Sequence, residues 1–218
     1  MERWSRNGTQ GGRKPSEEKR ESILEAAIRV FSRGGFEASS MDLVALEAGA
    51  SKRTVYNYFP SKEILLREIA ARFGREMREF KSFEYDPAVP IETQLGRFAD
   101  AELEVVRNER WMGMIRLLVA AFVRSPELAR ASVSRDPASG DPLADWMRAA
   151  ARAGKLDAPE PARAAAVFRA LLGGAYTWPA VYGGGTVPDG GEPLKRELVE
   201  TFLARYRPSR NPAERNAR

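Results

Sequence analysis

The sequence predicts an all-α fold of about nine helices, and three observations carry the expectation. Apolar residues recur three and four positions apart along most of the chain. Beyond Glu63 there is no convincing run of alternating residues and no Asn-Gly hairpin signal. Gly, Pro and Ser clusters cut the periodic stretches into lengths ordinary for globular helices.

Taken in order, residues 1–15 read as a flexible arm, and Ser16 as the N-cap of a helix with Glu17 and Glu18 in its first turn. Ile23, Leu24, Ala27, Val30 and Phe31 form its apolar face, and Gly34 with Gly35 stops it. Ser39 or Ser40 caps a second helix, in which Leu43, Val44 and Leu46 are expected to bury one side. Ala48, Gly49, Ala50 and Ser51 turn the chain into a third, whose inner residues are Val55 and Phe59. Pro60 ends it. Ser61, Lys62 and Glu63 open a fourth, with Leu65, Ile69, Phe73 and Met77 four apart. Further breaks fall at 86–90, near Asn108, at Ser125-Pro126, across 136–142, at Gly154, at 159–161 and across 183–193, and the tail after Tyr206 reads as disordered. The expected division is an arm at 1–15, a small helical domain at 16–62, a larger helical domain at 63–206 and a tail at 207–218.

A chain of 218 residues, 43% hydrophobic, is long enough for a real core. It contains no Cys and no His, which removes disulfides, thiolate nucleophiles, Cys/His zinc sites and His-based acid–base schemes. A net charge of +5 favours a polyanionic partner only modestly. The first residues lack an apolar stretch of the kind a signal peptide needs, so a cytoplasmic location is expected. The uncharged run between Arg169 and Asp189 approaches transmembrane length, but its glycines and prolines fit a buried helix followed by a loop, and no membrane association is expected.

The stretch Met41 to Glu63 reads as two short helices bent at Gly49, the second presenting Lys52, Arg53, Thr54, Tyr56, Asn57 and Tyr58. From Lys52 to Tyr58 such a helix is about 10 Å long, and a DNA major groove is about 12 Å wide. The residues from Ile23 to Leu66 resemble the DNA-binding domain of the TetR family of bacterial transcriptional regulators. The likeness is carried by IleLeu-x-AlaAla at 23–27, Phe31, the glycine pair with Phe36, Ser39-Ser40, AlaGly at 48 and 49, Ser51, ThrValTyr at 54–56 and TyrPhe-x-SerLysGlu at 58–63. Ala50, Leu46-Glu47 and Asn57 depart from the family pattern. The second half is similar to the AefR-type regulatory domain through Arg116-Leu117-Leu118, the segment Phe122 to Ala129, and Ala153 to Leu156.

The resemblance implies an all-helical homodimer, a three-helix helix-turn-helix domain joined to a regulatory domain, and a double-stranded DNA operator as partner. It implies a small-molecule effector of unknown identity and no cofactor. Lys52 and Arg53 stand where relatives touch base edges, and Arg to guanine is the commonest specific contact; an ordinary solvated pair is the plain alternative. The hydroxyls of Thr54, Tyr56 and Tyr58 can donate to phosphates, with Asn57 beside them. Tyr58 can equally pack on Phe36 or Phe59. Relatives use the equivalents of Tyr56 and Lys62 on phosphate, and Lys62 stands at a helix N-terminus that welcomes an anion. Ser40 can bind phosphate, although capping alone explains it, and Arg13 and Lys14 can follow the groove or remain solvated.

In the larger domain, Trp111, Ile115, Leu118 and Phe122 form one face, supported by Met114. Phe73, Met77, Phe98, Trp146, Met147, Phe168, Tyr176 and Trp178 add large soft side chains that can line an apolar pocket. Core packing explains the same stripe. Arg116 lies off that face and reads as exposed or paired. Ala164 to Ala166, Leu171, Leu172, Gly173, Gly174 and Ala175 would let helices approach closely, and Leu194, Leu198, Phe202 and Tyr206 form a stripe near the end. A dimer interface through Ala165, Leu171, Leu172, Ala175, Leu194, Leu198, Phe202 and Tyr206 is the expectation, with intramolecular packing as the alternative. An enzyme is not expected: there is no Gly-x-Ser-x-Gly elbow, and Gly183-Gly184-Gly185 runs into Thr-Val-Pro rather than Lys-Ser/Thr. The leading functional expectation is a repressor released from a palindromic operator by a largely apolar ligand. The alternative is an activator, or a regulator answering to a protein partner.

Overall fold

The computed structural model describes residues 15–133, 140–183 and 191–208. The arm with Arg13 and Lys14, the glycine run from Gly184 and the tail from residue 209 lie outside the described residues. Described helices are α1 (Pro15–Gly34), α2 (Met41–Glu47), α3 (Lys52–Tyr58), α4 (Lys62–Phe80), α5 (Ile91–Arg107), α6 (Glu109–Arg124), α7 (Pro126–Val133), α8 (Pro142–Arg152), α9 (Pro161–Leu172), α10 (Trp178–Val181) and α11 (Glu192–Tyr206). A π-helical turn, Gly173–Thr177, joins α9 to α10 without a break, so the described residues form ten helical rods and no strand. The all-α expectation holds, with one rod more than the nine counted from sequence.

By contacts the chain forms two compact units, Met1–Arg72 with Ala120–Val133, and Phe73–Val119 with Ser134–Arg218. In the first, α1 begins at Pro15, ahead of the expected Ser16 cap. Proline suits that place because the first turn has no use for its missing N–H. Ile23, Leu24, Ala26, Ala27 and Phe31 are buried. Gly35 takes φ +76°, a left-handed conformation that releases the chain after α1. Ser40 rather than Ser39 caps α2, its Oγ accepting from the Leu43 N–H at 3.2 Å. The expected inner face of α2 is corrected. Met41, Val44 and Ala45 are buried, whereas Leu43 is 47% and Leu46 79% exposed. Only three of its seven residues can face inward across two turns, and the register set by Ser40 gives those places to 41, 44 and 45. Ion pairs fasten the unit: Arg20 to Glu68 at 2.6 Å, Arg72 to Glu21, and Arg29 and Arg33 to Glu47.

The second unit is built on an aromatic core. Phe98 on α5 meets Trp146 on α8 edge-on at 5.3 Å and Phe168 on α9 at 6.5 Å; Phe168 meets Phe202 on α11 at 4.8 Å, and Phe202 stacks on Tyr206 at 4.6 Å. The loop after α4 is closed by Gln94, a buried polar side chain. It accepts from the Asp86 N–H at 3.0 Å and donates to the carbonyls of Asp86 and Val89 at 2.7 and 2.8 Å. Buried amides are tolerated when paired in this way.

The residues expected at an interface or in a pocket take these places around the core. Ala165, Leu172, Phe202 and Tyr206, expected at a dimer interface, are buried within the unit, and Leu171, Ala175, Leu194 and Leu198 pack partly buried against the same core. On α11 the inward residues are Val199, Phe202, Leu203 and Tyr206, so the four-residue stripe from Leu194 marks an inside face. On α6 the buried residues are Met112, Met114, Leu117, Leu118 and Ala121, while Trp111, Ile115 and Phe122 are only half-buried. Trp178 is 46% exposed and stacks on the still more exposed Tyr182, 6.1 Å away.

Candidate nucleic-acid interface

The turn between α2 and α3 is set by two local devices. Gly49 takes φ +56°, where an added Cβ would meet nothing, so the demand for glycine is conformational rather than steric. Ser51 then caps α3, its Oγ accepting from the Thr54 N–H at 3.1 Å and sharing a hydrogen bond of 2.7 Å with the Thr54 hydroxyl. Val55 and Phe59 are fully buried, each worth about 1.5–3 kcal/mol of burial. Arg20 lies over the Phe59 ring, 5.1 Å from its centroid. These contacts fix the rotation of α3. Lys52, Arg53, Tyr56 and Asn57 are left on its exposed side, with Thr54 and Tyr58 half-buried.

Individual partners sort the candidates. Lys52 Nζ pairs with Asp42 Oδ2 at 2.5 Å, tying α3 back to α2 in a solvent-exposed bridge of the kind that contributes little to stability. Arg53 carries a guanidinium with no ion pair among the described residues. Lys62 does something the sequence did not announce. Its ammonium donates to the carbonyls of Phe36 and Glu37, both at 3.2 Å, and sits 4.6 Å from the Phe36 ring centroid. Two of its three donors are thus spent inside the protein, and one is left for an anion. Phe36 meets Phe31 edge-on at 5.3 Å on another side. Ser40 is exposed, and while its oxygen accepts the cap bond its hydroxyl hydrogen remains free to donate. Glu47 holds Arg29 at 2.6 Å and Arg33 at 3.1 Å. The hydrogen bond from Arg29 is the chief reason its carboxyl titrates below the ordinary value near 4.5, partial burial opposing it and Arg33 assisting.

In the second unit, the pocket candidates Phe98, Trp146, Met147, Phe168 and Tyr176 are brought together, but as mutually contacting core side chains. Phe73, Met114 and Leu118 are buried elsewhere, Met77 and Trp111 half-buried, and Trp178 faces out; Phe122, half-buried, belongs to the first unit. A cleft of about 380 Å³ is lined instead by Ala151, Gly154, Leu156, Asp157, Ala158, Pro159 and Pro208. Burial raises the Tyr176 phenol, with the cation of Lys195 opposing it. Lys195 is pulled down by its own burial, but hydrogen bonds to Asp100 and Glu192 outweigh this and leave it raised. Arg116 is exposed, as expected, and donates to the Ala180 carbonyl at 2.8 Å. Two residues passed over in the sequence also matter. Glu102 is buried on α5, in the four-residue register of Phe98, and Thr177 binds it. A charge interrupting an apolar register was the available signal. Among the described residues no cluster of His, Cys, Asp or Glu could hold a metal ion, and no helix is long and apolar enough to cross a membrane.

Comparison with known proteins decides what this arrangement belongs to. The model of the AefR-like transcriptional repressor C-terminal domain matches residues 93–208, and that of bacterial regulatory proteins of the tetR family matches residues 23–69. The chain belongs to the TetR family of transcriptional regulators. Among TetR-family relatives, the uncharacterized regulator YhgD of Bacillus subtilis is 36% identical over 116 residues, 53% of this chain and 58% of that protein. The repressor KstR of Mycobacterium tuberculosis is 33% identical over 142 residues, 65% of this chain and 62% of its own length. The chain thus spans about three-fifths of these relatives. A TetR-family regulator from Pseudomonas syringae pv. tomato superposes with a TM-score of 0.72 at 34% identity, covering 88% of this chain and 98% of that one. The flavonoid-responsive regulator FrrA also gives 0.72, at 27% identity and the same coverage. The family is one of DNA-binding regulators and not of enzymes.

Proposed function

We propose that the protein is a homodimeric repressor whose α3 helices read a palindromic operator, and that a small, largely apolar or aromatic ligand releases it. The observation that carries the reading is the side of α3 bearing Lys52, Arg53, Tyr56 and Asn57, held outward by burial of Val55 and Phe59. Residues 16–62 act as the DNA-binding domain and 63–206 as the regulatory and dimerising domain. Arg53, free of ion pairs among the described residues, reads a base edge. Lys52 must first leave Asp42, an exposed pair of little strength that contact with a base edge can replace cheaply. Tyr56, Ser40 and the remaining donor of Lys62 position the backbone, while Thr54, Asn57 and Tyr58 border the contact. One short helix reads only a few base pairs, so two copies related by a two-fold axis are required. Beside the partly buried Leu171, Ala175, Leu194 and Leu198, the outward side of the α9–α10 rod, with Val167, Trp178 and Tyr182 exposed, is the surface for the second copy.

KstR is named a repressor and FrrA flavonoid-responsive, which supports repression and an aromatic effector here. Phe73, Met77, Trp111, Met114 and Leu118 remain candidates to border a ligand. The direct contacts of Phe98, Trp146 and Phe168 favour a second reading, control by a protein partner, since a ligand between those rings must first part them. Substitution tests the assignment. Arg53→Ala should weaken the enriched site by about 1–3 kcal/mol and random duplex far less, with Lys52→Ala acting the same way more weakly. Lys62→Ala should weaken both DNAs and lower the salt slope. Equal losses on both DNAs for all three would remove α3 from recognition.

A further inference from the structure

Glu102 is 9% exposed, and each of its carboxylate oxygens has its own partner. Lys81 Nζ binds Oε2, and the Thr177 hydroxyl donates to Oε1. Lys81 is the residue immediately after α4, and Thr177 is the last residue of the π turn, so a single buried carboxylate joins the end of α4 to the α9–α10 rod. A second route runs in parallel. Phe80 meets Trp111 on α6 edge-on at 4.5 Å, and Arg116 on the same helix donates to Ala180 on α10.

The π turn itself carries an unexplained pair of glycines. Gly173 has ordinary helical φ and ψ, neither it nor Gly174 adopts positive φ, and a Cβ on either would meet nothing within 4 Å. Neither backbone conformation nor close approach requires glycine there. What two glycines do supply is a helix segment that changes its hydrogen-bond register at low cost. A π turn holds one residue more than the α-helix it interrupts. Closing the turn to α register with every residue kept rotates everything on one side by about 100°, which would carry Thr177 away from Glu102.

We propose that Glu102 is a positioning residue that fixes the end of α4 to the π turn, and that the register of this turn sets operator affinity. The inference rests on the reading above that residues 63–206 regulate a DNA-binding domain at 16–62, and adds that α4, which begins at Lys62, carries the state from one to the other. Thr177 acts as the sensor of register, Lys81 as the tether, and Glu102 as the link between them.

The test uses the full chain and amide hydrogen exchange at residues 78–82 and 173–177, without DNA. Thr177→Val should speed exchange at the end of α4 roughly tenfold, and Lys81→Met should do the same in the π turn, because each acts across Glu102. The double variant should show little beyond the larger single effect. Thr177→Ser should restore the wild-type pattern. Lys81→Met alters a partly exposed side chain and keeps the test open should Thr177→Val fold poorly. Faster exchange confined to each variant's own segment would overturn the link. Replacing Gly173 and Gly174 together by Ala, which fits the open space there and resists a change of register, should change affinity for the duplex enriched by wild-type protein at least fivefold, within the usual range for allosteric coupling. Unchanged affinity would overturn the regulatory claim. Should wild-type protein enrich no duplex while exchange remains coupled, the failure lies with the repressor reading and not with the link.

Discussion

The two units hold their informative side chains in opposite places. In the helix-turn-helix unit the candidates for function face out, and the core beneath them is small and aliphatic apart from Phe31, Phe36 and Phe59. In the regulatory unit the side chains that looked functional, Phe98, Trp146, Met147, Phe168 and Tyr176, are the core itself. The difference teaches where periodicity stops being informative. A short helix with one buried residue, Val55, and a second, Phe59, at its C-cap has only one way to turn its polar side. A bundle helix meets several neighbours, so an apolar stripe does not say whether it faces core, ligand or a second copy.

The largest effect that would break this contrast comes from Phe59. Truncation to Ala should cost about 3–5 kcal/mol, seen as a lower urea midpoint, because the ring that sets the rotation of α3 is fully buried. A loss below 1 kcal/mol would mean that α3 is held by something else. Gly49→Ala comes next. With open space around it, the penalty is that of forcing an L side chain into the left-handed region, about 1–2 kcal/mol, and operator binding should fall with stability. Trp178→Ala should move stability of the single chain by about 0.5 kcal/mol or less, as exposed substitutions do, yet weaken self-association measured by sedimentation. Loss of stability without change in association would place Trp178 in the core after all.

The smallest effect concerns pH. Glu47 has a folded-state pKa below its ordinary value, so its pairing with Arg29 stabilises the fold above about pH 4.5 and is lost as pH falls through the lowered value. Glu47→Gln should therefore be less stable than wild type near neutrality, and the two should converge as pH falls through that lowered value. Parallel urea midpoints from pH 7 to pH 3 would contradict the assignment of that shift to Arg29 and Arg33.

Much of the first unit was legible because its signals are local. Ser51, Gly49, Val55 and Phe59 act within a few residues of themselves, and the sequence shows them directly. Lys62 was not legible. Its partners are the carbonyls of Phe36 and Glu37, remote in sequence, and a lysine at a helix start looks the same whether it binds phosphate or the protein. Leu43 and Leu46 misled for a related reason: neighbouring leucines on a two-turn helix fit either register until the cap at Ser40 selects one. In the second unit Trp178 and Phe202 were both read as large apolar residues with a function. Only tertiary packing separates the one facing solvent from the one inside.

The central claim is that two copies of α3 read DNA in concert. Selection of bound sites from random duplex DNA at fixed salt tests it most directly. A two-fold palindrome should be enriched, its half-sites centred one helical turn apart, about 34 Å, or a multiple of it, with Arg53→Ala relaxing the choice at matched positions in both halves. Recovery of no preferred sequence, or of a single half-site without its symmetric copy, would contradict it.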